Sequence, residues 1–595
     1  MPDDFSSSSA ATAAPISDDV FAHALSLHKD GNLAEARQLY DSLLSMDPRH
    51  APARHMRGML AFQQNDATTA LAYIERALAS GYSDRNIDNH HGAILLALGQ
   101  FDAAVAAFRR ALKLTPDDVE VLYNLGLAQR RAGRLEDAVA SLRTALASWT
   151  GANRGDVVLA LVAALQQLGL RHQQHARHDD ALLLFSEALS LHPGDAGAYN
   201  NMGVSLLRLG RGDNALAAWQ QALVADPLHG EGLQNLCDLL VARGATDEAA
   251  ALCRSLIALH PDMAKACHLC GQQLARLSDG EDFLEEAAEA LSGALQRDAT
   301  LADAWMELGR VRQRQHRYND AAKAFERVLF LTPQRNAARV ALGLAQLQGG
   351  QPQAALTTLR AALMADPADR EAMAYLITAG HAANDTALAR DLAENTIAVR
   401  ALAAPAGYAG LDDFNDALAN ALRGLDRQHA PPRQSIRGGT QTKAELFTQD
   451  NKVIQDFCAA LRDEIAAYLA ERTAMHSHKK GHPFFDVVPD PLQYRSWSVI
   501  LRKQGHHVPH IHPEGCISGV YYVTVPQLAG DEGNLELGRA GLELPDGTAL
   551  APVQQVQPVR GRLVLFPSYM WHGTVPFSGE GERITIAFDI LKPTI

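Results

Sequence analysis

The sequence predicts a multidomain chain, a long all-α array of helical hairpins followed by a smaller β domain with flanking helices. Three observations lead there. From about residue 17 to about residue 400, segments of helical periodicity recur with Gly, Ala and Pro at matching places. Beyond them, after two further helical stretches, apolar residues begin to alternate with a period of two. At 595 residues the chain also exceeds what one hydrophobic core can organise. The array is expected to end at residue 402 and the second domain to cover residues 403–595.

Bulk properties narrow the function. A net charge of −14 speaks against a general nucleic-acid binder, because affinity for polyphosphate comes from Lys and Arg. No apolar run approaches the roughly 20 residues needed to cross a bilayer. The opening stretch "MPDDFSSSSAATAAP" carries acids where a secretory signal has basic residues, and it lacks an apolar segment. Residues 1–16 are therefore read as a disordered tail on a cytoplasmic protein. Six cysteines in so long a chain do not make a disulfide framework. Cys267 and Cys270 form a single CxxC inside a helical repeat and are read as buried small hydrophobes.

Within the array, "NHHGAILLALGQFDAAVAAFRRALKLTP" (89–116), "NNMGVSLLRLGRGDNALAAWQQALVADP" (200–227) and "MELGRVRQRQHRYNDAAKAFERVLFLTP" (306–333) share one pattern. Gly92, Gly126, Gly203, Gly309 and Gly343 sit where a first helix crosses a second, the missing side chain permitting close approach. Ala104, Ala138, Ala181, Ala215, Ala321 and Ala355 do the same from the second helix, and Phe108, Phe185, Trp219 and Phe325 fill the groove between neighbouring hairpins. Pro48, Pro116, Pro193, Pro227, Pro261, Pro333 and Pro367 end the second helices, since proline cannot continue one. The pattern resembles the tetratricopeptide repeat, whose period is 34 residues, in about ten units with irregular ones near 150–165, 264–301 and 370–400. That resemblance implies a superhelix whose concave groove holds a protein or peptide, or a scaffold with no dedicated ligand.

After residue 400, "ALAAPAGYAG" and "RQHAPPRQSIRGGTQT" read as linker or loop. Between and beyond them, "LDDFNDALANALRGL" and "NKVIQDFCAALRDEIAAYLAER" have helical spacing. "YRSWSVILRK", "CISGVYYVTVP", "GRLVLFPS" and "RITIAFDIL" read as strands, being short, β-branched or aromatic, and bounded by Gly and Pro.

Chemistry concentrates in "HHVPHIHPEGCISGVYYV" (506–523). His510 and His512, spaced i and i+2, face one side of an extended segment, as metal ligands on β structure do. A third ligand has to come from elsewhere, and "RGRLVLFPSYMWHGTVPF" presents His572. Arg583 opens an apolar strand with Thr585 on the same face. A buried Arg needs an anion, and a carboxylate ligand is the natural one.

HxH, then "SGVYYV", then G-x-L-x-x-FP-x(4)-H, then R-x-T-I resembles the Fe(II)- and 2-oxoglutarate-dependent oxygenases of the double-stranded β-helix (jelly-roll) fold. The likeness is to a prolyl-hydroxylase-like bacterial group that has the "RGGTQT" segment and often stands behind tetratricopeptide repeats; it covers about 430–595. It implies a dioxygenase holding iron in a facial triad of two histidines and a carboxylate, with positions left open for 2-oxoglutarate and O₂. By resemblance His510 is the first ligand and His572 the distal one, while Arg583 with Thr585 binds the C5 carboxylate of 2-oxoglutarate. Tyr522 can reach the same carboxylate, with Tyr521, facing the other way, as the alternative. The chain departs from the pattern at His512, which stands where the family has its carboxylate. Either three neutral imidazoles bind the metal, or Glu514 takes the carboxylate role. The residues favour His510, His512 and His572, because Pro513 and Gly515 put Glu514 on a turn. His506 and His507 are read as loop residues or outer donors, and Trp497, Trp571 and Cys516 as packing or cleft-wall residues.

The resemblance implies oxidative decarboxylation of 2-oxoglutarate to succinate and CO₂, coupled to C–H hydroxylation. A peptide-binding array ahead of such a domain points to a protein or peptide substrate, with small molecules the other possibility. The contrasting reading is a non-catalytic interaction scaffold with a degenerate oxygenase domain.

Overall fold

The computed structural model describes residues 13–277, 281–385, 396–429, 435–476, 492–542, 544 and 550–591. The chain forms two compact units, residues 1–249 and 250–595.

The first unit is helical. It runs from α1 (Ala13–Lys29) to α13 (Gly230–Ala242), and α14 (Thr246–Leu259) spans the division. Why helices pack so closely here is visible at α5 (Ile87–Ala97) on α6 (Phe101–Leu114), where a Cβ at Gly92 would lie 2.6 Å from the Phe108 ring. At α11 (Ala196–Arg208) on α12 (Gly212–Ala225), a Cβ at Gly203 would lie 2.5 Å from Trp219 Nε1. That indole N–H donates to the Asn200 carbonyl at 3.1 Å, so the bulky residue is satisfied as well as buried. Each aromatic thus lies over the glycine of its own hairpin. First helices are capped where the sequence supplies an acid: Asp195 accepts the Ala198 N–H at 2.8 Å.

The second unit continues with α15 (Ala264–Leu277), α16 (Glu281–Arg297), α17 (Ala302–Arg314), α18 (Tyr318–Leu331), α19 (Asn336–Gln348), α20 (Pro352–Ala365) and α21 (Arg370–Ala382). Helices α22 (Leu411–Arg423) and α23 (Lys452–His476) follow and flank a β domain. Its strands are β1 (Ala398–Ala401), β2 (Arg427–His429), β3 (Ile436–Thr442), β4 (Tyr494–His507), β5 (Gly515–Thr524), β6 (Leu535–Leu537), β7 (Gln554–Val556), β8 (Arg562–Pro567), β9 (His572–Thr574) and β10 (Arg583–Leu591). One antiparallel sheet has the order β1-β8-β5-β10-β4-β3-β2 and a second the order β7-β6-β9, the two-sheet arrangement of a jelly-roll domain.

Helices α20 and α21 share one core with the β domain. Leu359, Leu376 and Ile377 belong to the same buried cluster as Phe457, Tyr521 and Ile586. Burial of this kind is worth roughly 1.5–3 kcal/mol per large side chain, so the last helices of the array are welded to the sheet.

Three expectations need correction. Residues 13–16 of the expected disordered tail are the first turn of α1, and residues 1–12 lie outside the described residues. The stretch read as linker at 427–442 supplies β2 and β3, since pairing of β3 with β4 and of β2 with β3 satisfies the backbone despite the glycines; its residues 430–434 lie outside the described residues. Strand β1 pairs with β8 through Ala398↔Leu565, so the sheet begins before the expected boundary at 403. All six cysteines, Cys267 and Cys270 included, are buried. Among the described residues no helix is long and apolar enough to cross a membrane.

Candidate metal centre

Backbone pairing brings the two histidine segments together. The His510 N–H donates to the His572 carbonyl at 3.0 Å and the His572 N–H to the His510 carbonyl at 2.9 Å, an isolated antiparallel bridge between the β4–β5 connection and β9. Ring centroids are 4.1 Å apart for His510 and His572, 5.0 Å for His510 and His512, and 4.8 Å for His512 and His572. One potential ligand atom from each of the three lies within 4.8 Å of the others. Among the described residues no other group of His, Cys, Asp or Glu is so arranged.

Each of the three rings is held through its Nδ1. His510 Nδ1 lies 2.8 Å from the Val508 carbonyl, His572 Nδ1 3.0 Å from the Met570 carbonyl, and His512 Nδ1 2.6 Å from Asp589 Oδ1. All three partners are acceptors, so each Nδ1 carries a proton; His510 Nε2 lies 3.3 Å from Ser435 Oγ. Burial, and then the neighbouring imidazoles, hold His572 well below the usual histidine range. Burial, and then the neighbouring His512, lower His510 to about 4. A metal takes a histidine in its neutral form, through the ring nitrogen that carries no proton, and a set of three imidazoles fits a transition metal.

A cavity of about 590 Å³ opens on this cluster and is also lined by Arg583, Thr585, Ser518, Trp497 and Asp589. Arg583 is 2% exposed. Its Nη1 donates to the Gly533 carbonyl at 2.8 Å and its Nη2 is 3.5 Å from the Tyr522 hydroxyl, while Nε has no partner. The guanidinium also stands 5.1 Å from the centre of the Tyr522 ring. Burial lowers its pKa, and among the described residues no carboxylate pairs with it. A cation so placed is costly to leave without an anion.

The other expected residues fall on both sides. Thr585 is buried on β10 directly opposite Tyr522. Tyr521 points away and donates to Asn415 at 2.9 Å. Glu514 stands outside the cluster, exposed and paired with Arg495, as a turn position implies. His507 lines the cavity, its ring stacked near His510 at 5.8 Å and its Nδ1 3.1 Å from Ser435 Oγ. Against the loop reading, His506 and His507 end strand β4, paired with Arg437 and Ile436, and His506 Nδ1 lies 3.0 Å from the Gln504 carbonyl. Trp497 lies 5.7 Å from His512, and Trp571 packs on Tyr375 of α21 at 6.0 Å. Cys516 lies 3.5 Å from Arg370 Nη2.

Sequence reasoning missed Asp589 and Ser518. A lone acid near the end of the apolar strand "RITIAFDI" was the available signal, because a buried carboxylate demands a partner.

Comparison with known proteins gives the class first. The tetratricopeptide-repeat family matches seven segments between residues 21 and 404, and the chain belongs to that family. The C-terminal domain, over residues 495–589, then matches the family described as "Putative 2OG-Fe(II) oxygenase". Among curated proteins, the BBSome complex member bbs-4 of Caenorhabditis elegans is 26% identical over 233 residues, 39% of this chain and 47% of that protein. Cellulose synthase operon protein C of Xanthomonas axonopodis is 27% identical over 333 residues, 54% of this chain and 21% of that one. The chain thus spans less than half the length of either relative. Among solved structures, a Pseudomonas putida prolyl-4-hydroxylase is 20% identical, with 35% of this chain and 98% of that one covered and a TM-score of 0.24. The tetratricopeptide protein YrrB, described as having an unusual peptide-binding site, is 20% identical, with 36% and 88% covered and a TM-score of 0.22.

Proposed function

We propose that this protein is an Fe(II)- and 2-oxoglutarate-dependent dioxygenase that hydroxylates a protein or peptide delivered by the repeat array. The observation that carries the reading is the pairing, in one cavity, of three histidines whose potential ligand atoms lie within 4.8 Å of one another with a buried guanidinium that has no carboxylate partner among the described residues. In this reading His510, His512 and His572 hold the iron through Nε2. Arg583, with the Tyr522 and Thr585 hydroxyls, grips the distal carboxylate of 2-oxoglutarate. Iron with 2-oxoglutarate and O₂ supplies the oxidising power for C–H hydroxylation, giving succinate and CO₂. The chain's own share is orientation and exclusion of water: carbonyls and Asp589 hold the imidazole tautomers, and Trp497 covers His512. The array's share is delivery, and its last helices, α20 and α21, share a core with the sheet that carries the site.

Mixing the protein anaerobically with Fe(II) and 2-oxoglutarate tests the proposal. The expected result is a weak visible charge-transfer band that disappears in His572→Ala, with succinate released on admitting air. Neither band nor succinate would leave the non-catalytic scaffold, for which the imidazole at position 512 in place of a carboxylate is the supporting observation.

A further inference from the structure

Two of the three clustered histidines are held by backbone carbonyls, as any chain can arrange. The third, His512, is held by a buried charge. Asp589 is 2% exposed, and its Oδ1 accepts from His512 Nδ1 at 2.6 Å and from Ser518 Oγ at 2.7 Å. Ser518 stands directly opposite Asp589 in the β5–β10 register, and its hydroxyl is 3.3 Å from His512 Nδ1 and 2.9 Å from Ser568 Oγ. Among the described residues no Lys or Arg pairs with Asp589; its one ionisable partner is His512. A carboxylate buried this deeply is costly unless positive charge stands close by. One imidazole away from Asp589, the cluster of His510, His512 and His572 offers a place for a metal's positive charge.

We propose that Asp589 is a positioning residue for the metal centre, fixing the ring and tautomer of His512 and setting a negative charge one imidazole away from the metal. The inference rests on the three-histidine reading above. It assigns the site its carboxylate after all, outside the ligands themselves and contributed by β10, the strand that also carries Arg583. A carboxylate in this role strengthens the imidazole as a donor, and its loss weakens metal binding by roughly 10- to 100-fold.

The test is titration of metal-free full-length protein with Co(II), following the visible bands of the bound ion. Asp589→Asn is expected to weaken Co(II) binding by about 10- to 100-fold and to shift the bands. Because Asp589 acts through His512, the same substitution placed on His512→Ala is expected to change affinity by less than about 3-fold. A purely structural carboxylate would lower thermal stability in both backgrounds and leave the bands of the folded protein unmoved. Unchanged affinity and bands in Asp589→Asn, or an equal loss in the His512→Ala background, overturns the proposal. Should Asp589→Asn not fold, Ser518→Ala removes the hydroxyl that fixes the carboxylate. It is expected to weaken Co(II) binding by about 2- to 10-fold, as loss of one hydrogen bond does, and no change there is equally fatal. Wild-type protein that fails to bind Co(II) refutes the metal centre itself, a result distinct from binding that ignores residue 589.

Discussion

Replacing Arg583 with Met separates a ligand-binding cation from a structural one. The guanidinium has one good hydrogen bond, to Gly533, a long one to Tyr522, and an unsatisfied Nε. Removing a charged group from this depth relieves a desolvation penalty of several kcal/mol. It also strands the Gly533 carbonyl, which costs about 1–3 kcal/mol. The two nearly offset, so the ligand-free variant should be as stable as wild type or up to about 3 kcal/mol more stable. Ligand binding should move the other way. Truncating one partner of a buried charged pair costs about 2–5 kcal/mol, a loss of roughly 30- to several-thousand-fold in affinity for 2-oxoglutarate. Calorimetric titration of 2-oxoglutarate under nitrogen, with Mn(II) in place of iron, reads the affinity, and thermal melts with and without ligand read the stability. A variant that binds 2-oxoglutarate like wild type yet is destabilised by more than about 3 kcal/mol would show that Arg583 is a structural residue.

Further outcomes follow from other parts of the molecule. Glu514→Ala should leave Mn(II) affinity within about 3-fold, since its carboxylate is engaged by Arg495 at the surface. His512→Ala should lose at least about 10-fold in the same titration; the reverse order would restore Glu514 as the ligand. In the first unit His55, 2.8 Å from His90, is lowered to about 4 by burial and then by His90, with Asp84 opposing. Because its folded pKa lies below the unfolded value near 6.5, it supports stability above pH 6.5, and this support is lost as pH falls toward 4. The loss is about 3 kcal/mol. It should appear as weakened hydrogen-exchange protection in α5 and in α3 (Ala51–Gln63), after correction for intrinsic rates, and should flatten in His55→Gln. Finally, Gly203→Ala forces a methyl against Trp219 and should destabilise the surrounding hairpin by about 1–3 kcal/mol. Wild-type-like exchange there would mean that the helices can part at little cost.

The legible parts of this sequence were those governed by local rules. Gly92 and Gly203, each facing an aromatic sixteen residues on in the sequence, announce a helix crossing because only a missing side chain fits there. Strands β4, β5, β8 and β10 are rich in β-branched and aromatic residues and bounded by turns, so periodicity finds them. Strands β1, β2, β3, β6, β7 and β9 are short or glycine-rich, and only their partners make them strands. The site divides in the same way. The spacing of His510 and His512 is local, whereas the meeting of His510 with His572 depends on one backbone bridge between distant segments. Asp589 shows in the sequence only as a lone acid in an apolar strand; its meaning comes from Ser518 and His512, which the fold brings to it.

X-ray absorption at the iron edge, on anaerobic full-length protein loaded with one equivalent of Fe(II), tests the central claim most directly. The expected spectrum contains scattering from three imidazole rings in wild type and from two in His512→Ala. Iron that stays loosely bound, or a wild-type spectrum that His512→Ala leaves unaltered, would contradict the three-histidine centre.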